Sequence, residues 1–581
     1  MNKKYKINTF SLIFILYIFF IIVNDYFCFI LKKNVSPLFY IISFILTVLL
    51  FKYLRNKIII TKNEYSRLDF VFLLTIALSI LSRIVIPDSS FDTLNYHIYS
   101  QERLFSDNVS FNFFPARWIN TFSFPLSDRI HFFFRYLLGY RLGIIFNLFT
   151  LIVIYYQIKI ILNKYINNKN YISLIAGLVI ITEQIMTNAI TYYVDIISIP
   201  LFLELIIIIL NEQKANNITN GIVLFISGIL VSLKVSNAFL LIPIAIIYII
   251  KYKKSINYKT ILYGIPIFLF PLLVYLLNNY IQTGNPVFPF YNSIFHSKYL
   301  ANTNWIETFY GPKRMRERLF WPLYLFICPR RAFDTNIYYG RIGFGYIISI
   351  FIIITSLIKY YTKKEKLDLF FYSNLFFIIL CLIWSNFMMG YIRYALILEV
   401  LSGIIIAITI SKYYMSRNIF YFLMSMVCVY SLIVTTTFTM EDMLRGDNDI
   451  SWRKPYYSDE IGYKNNAKLL LDRRWNYKMI NNIDCFGIVD YNSAYASLLS
   501  RDKRIININE SYTNKYGENE FNKILNKCKN IYTVSTSTTI ERTEKYAENA
   551  GYKRVGEYIS FKADFLDYNK ELVLFEIKKS S

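Results

Sequence analysis

Apolar residues run through stretches of about twenty positions along most of this chain, the length a helix needs to cross a bilayer. Such runs occur at Ser11 to Ile30, Leu38 to Leu54, Leu68 to Ile86, Leu142 to Leu162, Tyr171 to Ile190, Val194 to Leu210 and Ile261 to Tyr280. Others follow at Ile342 to Ile358, Leu369 to Trp384, Tyr394 to Ile410 and Ile419 to Thr437. The stretch from Gly221 to Ile250 is broken by Lys234-Val-Ser-Asn237 and reads as two short crossings. The pattern predicts an α-helical polytopic membrane protein of about thirteen transmembrane helices.

The polar connections set the expected orientation, because Lys and Arg are retained on the cytoplasmic side. With Lys3, Lys4 and Lys6 inside, Arg55 to Arg67, Lys164 with Lys169, Lys251 to Lys259, Lys359 to Lys366, and Lys412 with Arg417 all fall inside. Lys32 and Lys33 are the basic short loop on the wrong side. Two long loops, 87–141 and 282–341, then face outward. The first is expected to lie on the membrane as short helices, with Tyr96, Ile98, Tyr99, Leu104 and Phe105 apolar, Glu102, Arg103 and Asp107 wet, and Trp118 interfacial. The first apolar run lacks a small-residue cleavage site and reads as a retained helix.

The apolar pattern shifts after Phe438. Beyond it the pattern is that of a small α/β domain, residues 446–581, with strands at Cys485 to Val489, Ile505 to Ile508, Ile531 to Ser535 and Leu572 to Ile577. Helices are expected at Ser493 to Leu499, Glu518 to Asn526 and Ile540 to Ala550, which favours a partly parallel sheet. The division is thus 1–67 for the N-terminal helices, 68–440 for the main membrane domain, and an extracytoplasmic α/β domain.

Composition agrees: 55% of residues are hydrophobic and the net charge is +24. Cytoplasmic anchoring and a general Lys bias explain that charge without nucleic acid. Three histidines and six cysteines offer no metal-ligand spacing, although Cys485 and Cys528 share the outer tail and could form a disulfide. No glycine-rich nucleotide loop appears, so ATP hydrolysis is not expected.

Candidate chemistry gathers at the outer ends of the spans. Pro87-Asp88-Ser-Ser-Phe-Asp92-Thr-Leu-Asn-Tyr96-His97 leaves the membrane carrying two carboxylates and an imidazole. Asp88 and Asp92, four apart, would share one face of a helix with Tyr96, and a carboxylate there could deprotonate a hydroxyl; either could instead cap the following helix, Asp88 more so. His97 could orient a substrate or balance Asp92. Asp195 falls at the outer end of the sixth span, as a second acid of one site or as a helix start. Lys234 and Arg393 could hold a phosphate at membrane level or simply snorkel. The basic run of Lys313, Arg314, Arg316, Arg318, Arg330 and Arg331 lies outside, where topology does not call for positive charge; it could bind an anionic substrate or acidic headgroups.

The arrangement resembles the GT-C superfamily of integral membrane glycosyltransferases, in particular bacterial members of the protein O-mannosyltransferase and aminoarabinose transferase type. The resemblance rests on Phe91-Asp92-Thr-Leu-Asn-Tyr96-His97, Tyr192-Tyr-Val-Asp195, Gly284-Asn-Pro-Val-Phe-Pro-Phe-Tyr-Asn292 and Tyr391-Ile-Arg393-Tyr394, within residues 68 to 410. It implies transfer of a sugar from a polyprenyl-phosphate carrier to a lipid, glycan or protein acceptor at the outer face of the cytoplasmic (inner) membrane, for a cell-envelope glycan. Asp92 would be the general base, and the loop arginines, Lys234 and Arg393 would neutralise the leaving phosphate. Better-known relatives carry a paired acidic dipeptide where this chain has a single Asp, which leaves a divalent metal open, and many have one span before the loop where this chain has two. A surface-polysaccharide polymerase or ligase is the nearest alternative, and a transporter or flippase a more distant one.

Overall fold

The computed structural model describes residues 6–32, 37–55, 59–61, 65–81, 88, 90, 92–102, 104, 124–256, 258–297, 302–304, 310–327, 331–332, 341–413, 482–488, 493–499, 503–508, 526–549, 551–562 and 571–580. The expected span at Ile419 to Thr437, the expected helix at Glu518 to Asn526 apart from Asn526 itself, and Arg103, Phe105, Asp107, Trp118 and Arg330 lie outside them.

Helices occupy each of the other apolar runs: α1 (Thr9–Leu31), α2 (Pro37–Leu54), α3 (Arg67–Leu81), α4 (Ile98–Glu102), α5 (Leu126–Leu142), α6 (Phe146–Leu162), α7 (Lys169–Ile180), α8 (Glu183–Ala189) and α9 (Asp195–Asn211). They continue with α10 (Asn217–Leu233), α11 (Asn237–Tyr252), α12 (Tyr258–Thr283), α13 (Met315–Ile327), α14 (Ile342–Lys363), α15 (Leu369–Phe387) and α16 (Leu396–Tyr413). Among the described residues, seven helical spans are long and apolar enough to cross a membrane, or eight if the bent pair α7 and α8 is one span. The remaining expected crossings are α3, α9, α10 and α11, helices of 15, 17, 17 and 16 residues, and the run at Ile419 to Thr437, which lies outside the described residues. Helices α9 and α10 are 17 residues each, roughly 25 Å at 1.5 Å per residue and so short of a hydrocarbon core of roughly 30 Å. Asp195 opens α9 and Lys234 follows α10, so a charge marks one end of each.

The span expected from Leu142 begins earlier. Helix α5 starts at Leu126 and runs through a kink at Gly139 (φ +80°) and a 3₁₀ turn into α6, forming one 37-residue apolar rod. Sequence reading placed this segment in the loop because Asp128, Arg129, Arg135 and Arg141 interrupt its apolar positions. Their charges are met inside the protein: Arg129 Nε lies 3.3 Å from Asp25 Oδ1, and Arg135 pairs with Glu102 with both side chains fully buried. Glu102, expected to be wet, is therefore a core residue.

A short parallel pairing of β1 (Lys6–Asn8) with β2 (Ile59–Thr61) brings the N-terminal segment and the loop after α2 together. Both belong to the set of connections that the Lys and Arg pattern places on one side.

The C-terminal domain is a five-stranded sheet of β3 (Cys485–Ile488), β4 (Arg504–Asn507), β5 (Ile531–Thr536), β6 (Tyr552–Lys562) and β7 (Glu571–Lys579), in the order β4-β3-β5-β7-β6. The first three strands pair in parallel and the rest antiparallel. Strand β6 escaped sequence reading because Lys553, Arg554, Glu557 and the intervening Gly556 dilute its alternation, and it is the exposed edge where such residues are expected. Cys485 and Cys528 form a disulfide. Helix α17 (Ser493–Leu499) packs Ala494, Tyr495 and Leu499 into one apolar cluster with Leu94, Ile98 and Tyr99. The domain thus rests on the segment that carries Asp92, at the same end of the helices.

Candidate active site

Asp92 is the first helical residue of a segment that opens with a π turn, Thr93–His97, closed by the Ile98 N–H on Thr93 O, and continues as α4. One extra residue per turn is a local cost that usually marks a functional position. Helix α5 holds this segment through buried polar contacts. His97 Nδ1 lies 2.8 Å from Asp128 Oδ1, Arg135 donates to Gln101 Oε1 at 2.8 Å, and the Arg135–Glu102 pair completes the attachment. Breaking one partner of such a buried set strands an uncompensated charge, so the attachment is rigid.

Asp88 lies just before this helix, 3% exposed, and its carboxylate accepts from Ser90 N (3.0 Å), Thr93 Oγ1 (2.7 Å) and Tyr192 N (2.9 Å). It ties the segment to the turn that leads into Asp195.

Arg393 is delivered by a different device. The chain reverses at Met389 (φ +61°) and Gly390 (φ +57°) between α15 and a 3₁₀ turn, Ile392–Ala395. The reversal is pinned by Trp321 Nε1 donating to Gly390 O at 2.6 Å, Trp384 Nε1 to Tyr391 O at 2.8 Å, and Ile392 N to Ala332 O at 3.0 Å. Gly390 is required twice over: its φ is left-handed, and a Cβ there would collide with the Trp321 indole.

These elements bring four charged side chains into one alternating array. Arg393 Nη2 lies 2.6 Å from Asp92 Oδ2, Arg393 Nε lies 3.4 Å from Asp195 Oδ2, and Lys234 Nζ donates to Asp195 Oδ1 at 2.7 Å. Aromatic faces wall it in: Lys234 Nζ sits 3.4 Å from the Tyr394 ring centre, and the Arg393 guanidinium 4.3 Å from that of Tyr193. The side chains keep 6 to 20% exposure, so the array is recessed but reachable. A cavity of about 10 Å³, lined by Asp195, Ser198, Asn237 and Arg393, adjoins it.

The electrostatics follow from burial and neighbours. Burial works to raise the Asp92 carboxyl, but the Arg393 charge, then His97, outweigh it and hold Asp92 below the usual carboxylate range. For His97, burial opposes protonation while Asp128, in charge and hydrogen bond, favours it, and the result is a raised imidazole. Its other nitrogen, Nε2, is buried and has no hydrogen-bond partner among the described residues. The Tyr96 ring lies beside it, tilted by 41°, at 4.2 Å between ring centres.

The second-loop cations are arranged differently. Arg331 reaches Glu317 Oε2 at 2.7 Å and the Gly311 carbonyl at 2.5 Å, so it braces the loop that carries Trp321. Arg314, Arg316 and Arg318 on and before α13 are exposed. The structure thus brings together Asp92, Asp195, Lys234 and Arg393, all candidates in the sequence, on supports that were not candidates there: Asp128, Arg135 and Gln101. Charged residues in an otherwise apolar run, as at Asp128 and Arg135, were the available signal.

Fold and site together define a multi-helix protein of membrane-spanning type with a recessed, charge-balanced array at one end of its helices. Residues 132–396 match a family described as a domain of unknown function, DUF8201. No curated protein matches the chain. Among solved structures the chain is similar to ArnT from Cupriavidus metallidurans, described as bound to undecaprenyl phosphate, with a TM-score of 0.46 and 10% identity over 87% of this chain and 97% of that one. At that distance the functional reading depends on the side chains themselves.

Proposed function

We propose that this protein is a membrane glycosyltransferase that moves a sugar from a polyprenyl-phosphate donor to a lipid, glycan or protein acceptor at the outer face of a bacterial cytoplasmic membrane. The observation that carries the reading is the Asp92–Arg393 pair at 2.6 Å, flanked by Asp195 and Lys234, at the ends of the helices.

In the resting array Arg393 is engaged by two carboxylates. A lipid-linked phosphate entering the recess competes for that guanidinium and for Lys234, both suited to an anion. As Arg393 shares its charge with the phosphate, Asp92 regains basicity, so donor binding itself prepares the base. Asp92 then takes the proton from the acceptor hydroxyl as its oxygen bonds to the anomeric carbon, and the bond from that carbon to the phosphate oxygen breaks with inversion. The electron pair leaves on the phosphate, where Arg393 and Lys234 stabilise it. His97, fixed by Asp128, keeps Nε2 for a substrate oxygen, Tyr96 lines the same segment, and Asp88 positions it. Arg314, Arg316 and Arg318 are assigned to guiding the anionic carrier toward the recess, and Arg331 to bracing their loop through Glu317. The Arg393 guanidinium bridges Asp92 and Asp195, so this carboxylate pair as arranged does not fit a divalent ion, and no step is routed through one.

The test is turnover of a radiolabelled polyprenyl-phosphate sugar by the purified protein. Asp92→Asn that inserts and folds should lose about 10²- to 10⁴-fold in rate, the usual contribution of a positioned base. Full activity in Asp92→Asn would sink the reading. A polymerase or ligase acting through the loop cations would instead show a mild Asp92→Asn effect and abolition on charge reversal of Arg314 and Arg316.

A further inference from the structure

At the opposite end of the helices from Asp92, a second and chemically different recess opens between α6, α9, α11, α15 and α16. The separation follows from the helices themselves: α9 begins at Asp195 in the charged array and lines this recess with Ile206, Ile209 and Leu210, roughly 16 to 22 Å further along at 1.5 Å per residue. Helix α16 contributes Leu401 to Ile408 in the same way. The cavity is about 140 Å³, and its wall is almost wholly aliphatic and aromatic, with Tyr165 and Ser373 supplying hydroxyls. An apolar space of this size accepts hydrocarbon and has no polar partners to order water.

The mouth is basic. Lys164, just past α6, donates to Leu210 O at 3.0 Å, and Lys251, near the end of α11, donates to Ile209 O. Two ammonium groups from separate helices therefore converge on consecutive carbonyls of residues that line the cavity. A third, Lys412, lies 5.2 Å from the ring centre of Phe370, another wall residue, and is matched by Asp368 at 2.5 Å. Glu212 also lies within Coulombic reach of Lys251. Capping of the last turn of α9 explains one lysine. Each of these exposed ammoniums has three N–H donors and spends one on its carbonyl, at the rim of a hydrocarbon-sized space.

We infer that this recess is a binding site for an anionic phospholipid of the leaflet opposite the Asp92 array, with an acyl chain in the cavity between α9 and α15 and the phosphate on Lys164 and Lys251. Charge complementarity selects the anionic headgroup, and the apolar wall selects an intact lipid over a free phosphate. Lys412 is compensated by Asp368 and sets the far rim.

The test is native mass spectrometry of the detergent-purified full chain titrated with phosphatidylglycerol or phosphatidylethanolamine of equal chain length. Wild type should retain phosphatidylglycerol up to about thirtyfold better, the scale of two interfacial lysines. The double variant Lys164→Glu, Lys251→Glu should lose that preference while still taking up lipid, and Ser373→Trp, which fills the cavity, should lose retention of both lipids. Added glycerol phosphate should leave lipid retention unchanged. Equal retention of the two lipids by wild type, an unaltered preference in the double variant, displacement by glycerol phosphate, or undiminished retention in Ser373→Trp would each overturn the inference. So would displacement of phosphatidylglycerol by an equimolar polyprenyl phosphate, which would make the recess part of the donor's path. Elution of each variant as a monodisperse peak shows that it has folded.

Discussion

Two cation groups at the same end of this protein share a composition and differ in everything that determines chemistry. Around Arg393, cations and carboxylates alternate within a recess built from four separate segments, and every charge has a fixed opposite neighbour at 2.6 to 3.4 Å. On the second loop, Arg314, Arg316 and Arg318 are exposed, and Arg331 is held by Glu317 as a brace. Recessed charges interact strongly because little water screens them, whereas exposed ones are worth about 0 to 1 kcal/mol per pair. The first group can do work on a substrate by exchanging partners; the second can attract one or stiffen a loop.

The contrast is broken most severely by removing the shared cation. Arg393→Met strips Asp92 of its ion-pair partner while Asp195 keeps Lys234, and the expected loss is about 3 to 5 kcal/mol of stability, seen as a lowered unfolding temperature together with lost transfer. Adding Asp92→Asn to Arg393→Met should restore part of that stability but none of the activity, which separates folding from chemistry.

Gly390→Ala comes next. It leaves all four charges in place but forces a side chain into the Trp321 indole and onto a left-handed backbone, at a cost of roughly 1 to 3 kcal/mol. Donor affinity should fall as Arg393 shifts, and a Gly390→Ala protein with unchanged donor binding would show that the reversal does not position the cation.

The pH response sharpens the comparison further. His97 has its folded pKa raised above 6.5, so the His97–Asp128 contribution is full below pH 6.5 and is lost as pH rises through the raised value. Asp92 is lowered from 3.8, so its contribution is present above pH 3.8 and lost as pH falls through the lowered value. Glu317, lowered to about 2 chiefly by its hydrogen bond to Arg331, loses its contribution between pH 4.5 and about 2. Thermal melts across pH should therefore show an alkaline loss absent from His97→Gln, and an acid loss that is reduced in Glu317→Gln.

The smallest effect is expected on the exposed loop. Replacing Arg314 and Arg316 together by Ala should leave stability within about 0.5 kcal/mol and slow donor capture only at low salt, where unscreened charge acts over longer distance. A loss of the maximal rate at high donor concentration would place those arginines in the reaction itself.

Legibility followed the same division. The helices were readable because a run of apolar residues long enough to cross a membrane has few other stable fates, and the parallel strands β3, β4 and β5 because each is a short apolar run between turns. Asp92, Asp195, Lys234 and Arg393 stood out because charge at the end of an apolar run is costly enough to need a reason. Helix α5 was hidden because its Asp128, Arg135 and Arg141 look like loop residues until their partners on other elements are known, and Glu102 looked solvated for the same reason. Edge strand β6 was hidden because Lys553 to Tyr558 are exposed on both faces, which leaves no apolar alternation to read.

The sequence by itself determined that the chain would build a many-helix membrane protein with a small α/β domain, and which charges would sit at helix ends, since hydrophobic length and the cost of burying charge act locally. Only the tertiary structure decided that Arg393 is shared between Asp92 and Asp195, that His97 belongs to Asp128, and that α17 packs on the segment bearing Asp92. Those are pairings between residues up to several hundred positions apart, and their energies depend on distance and shielding from water that no local pattern records.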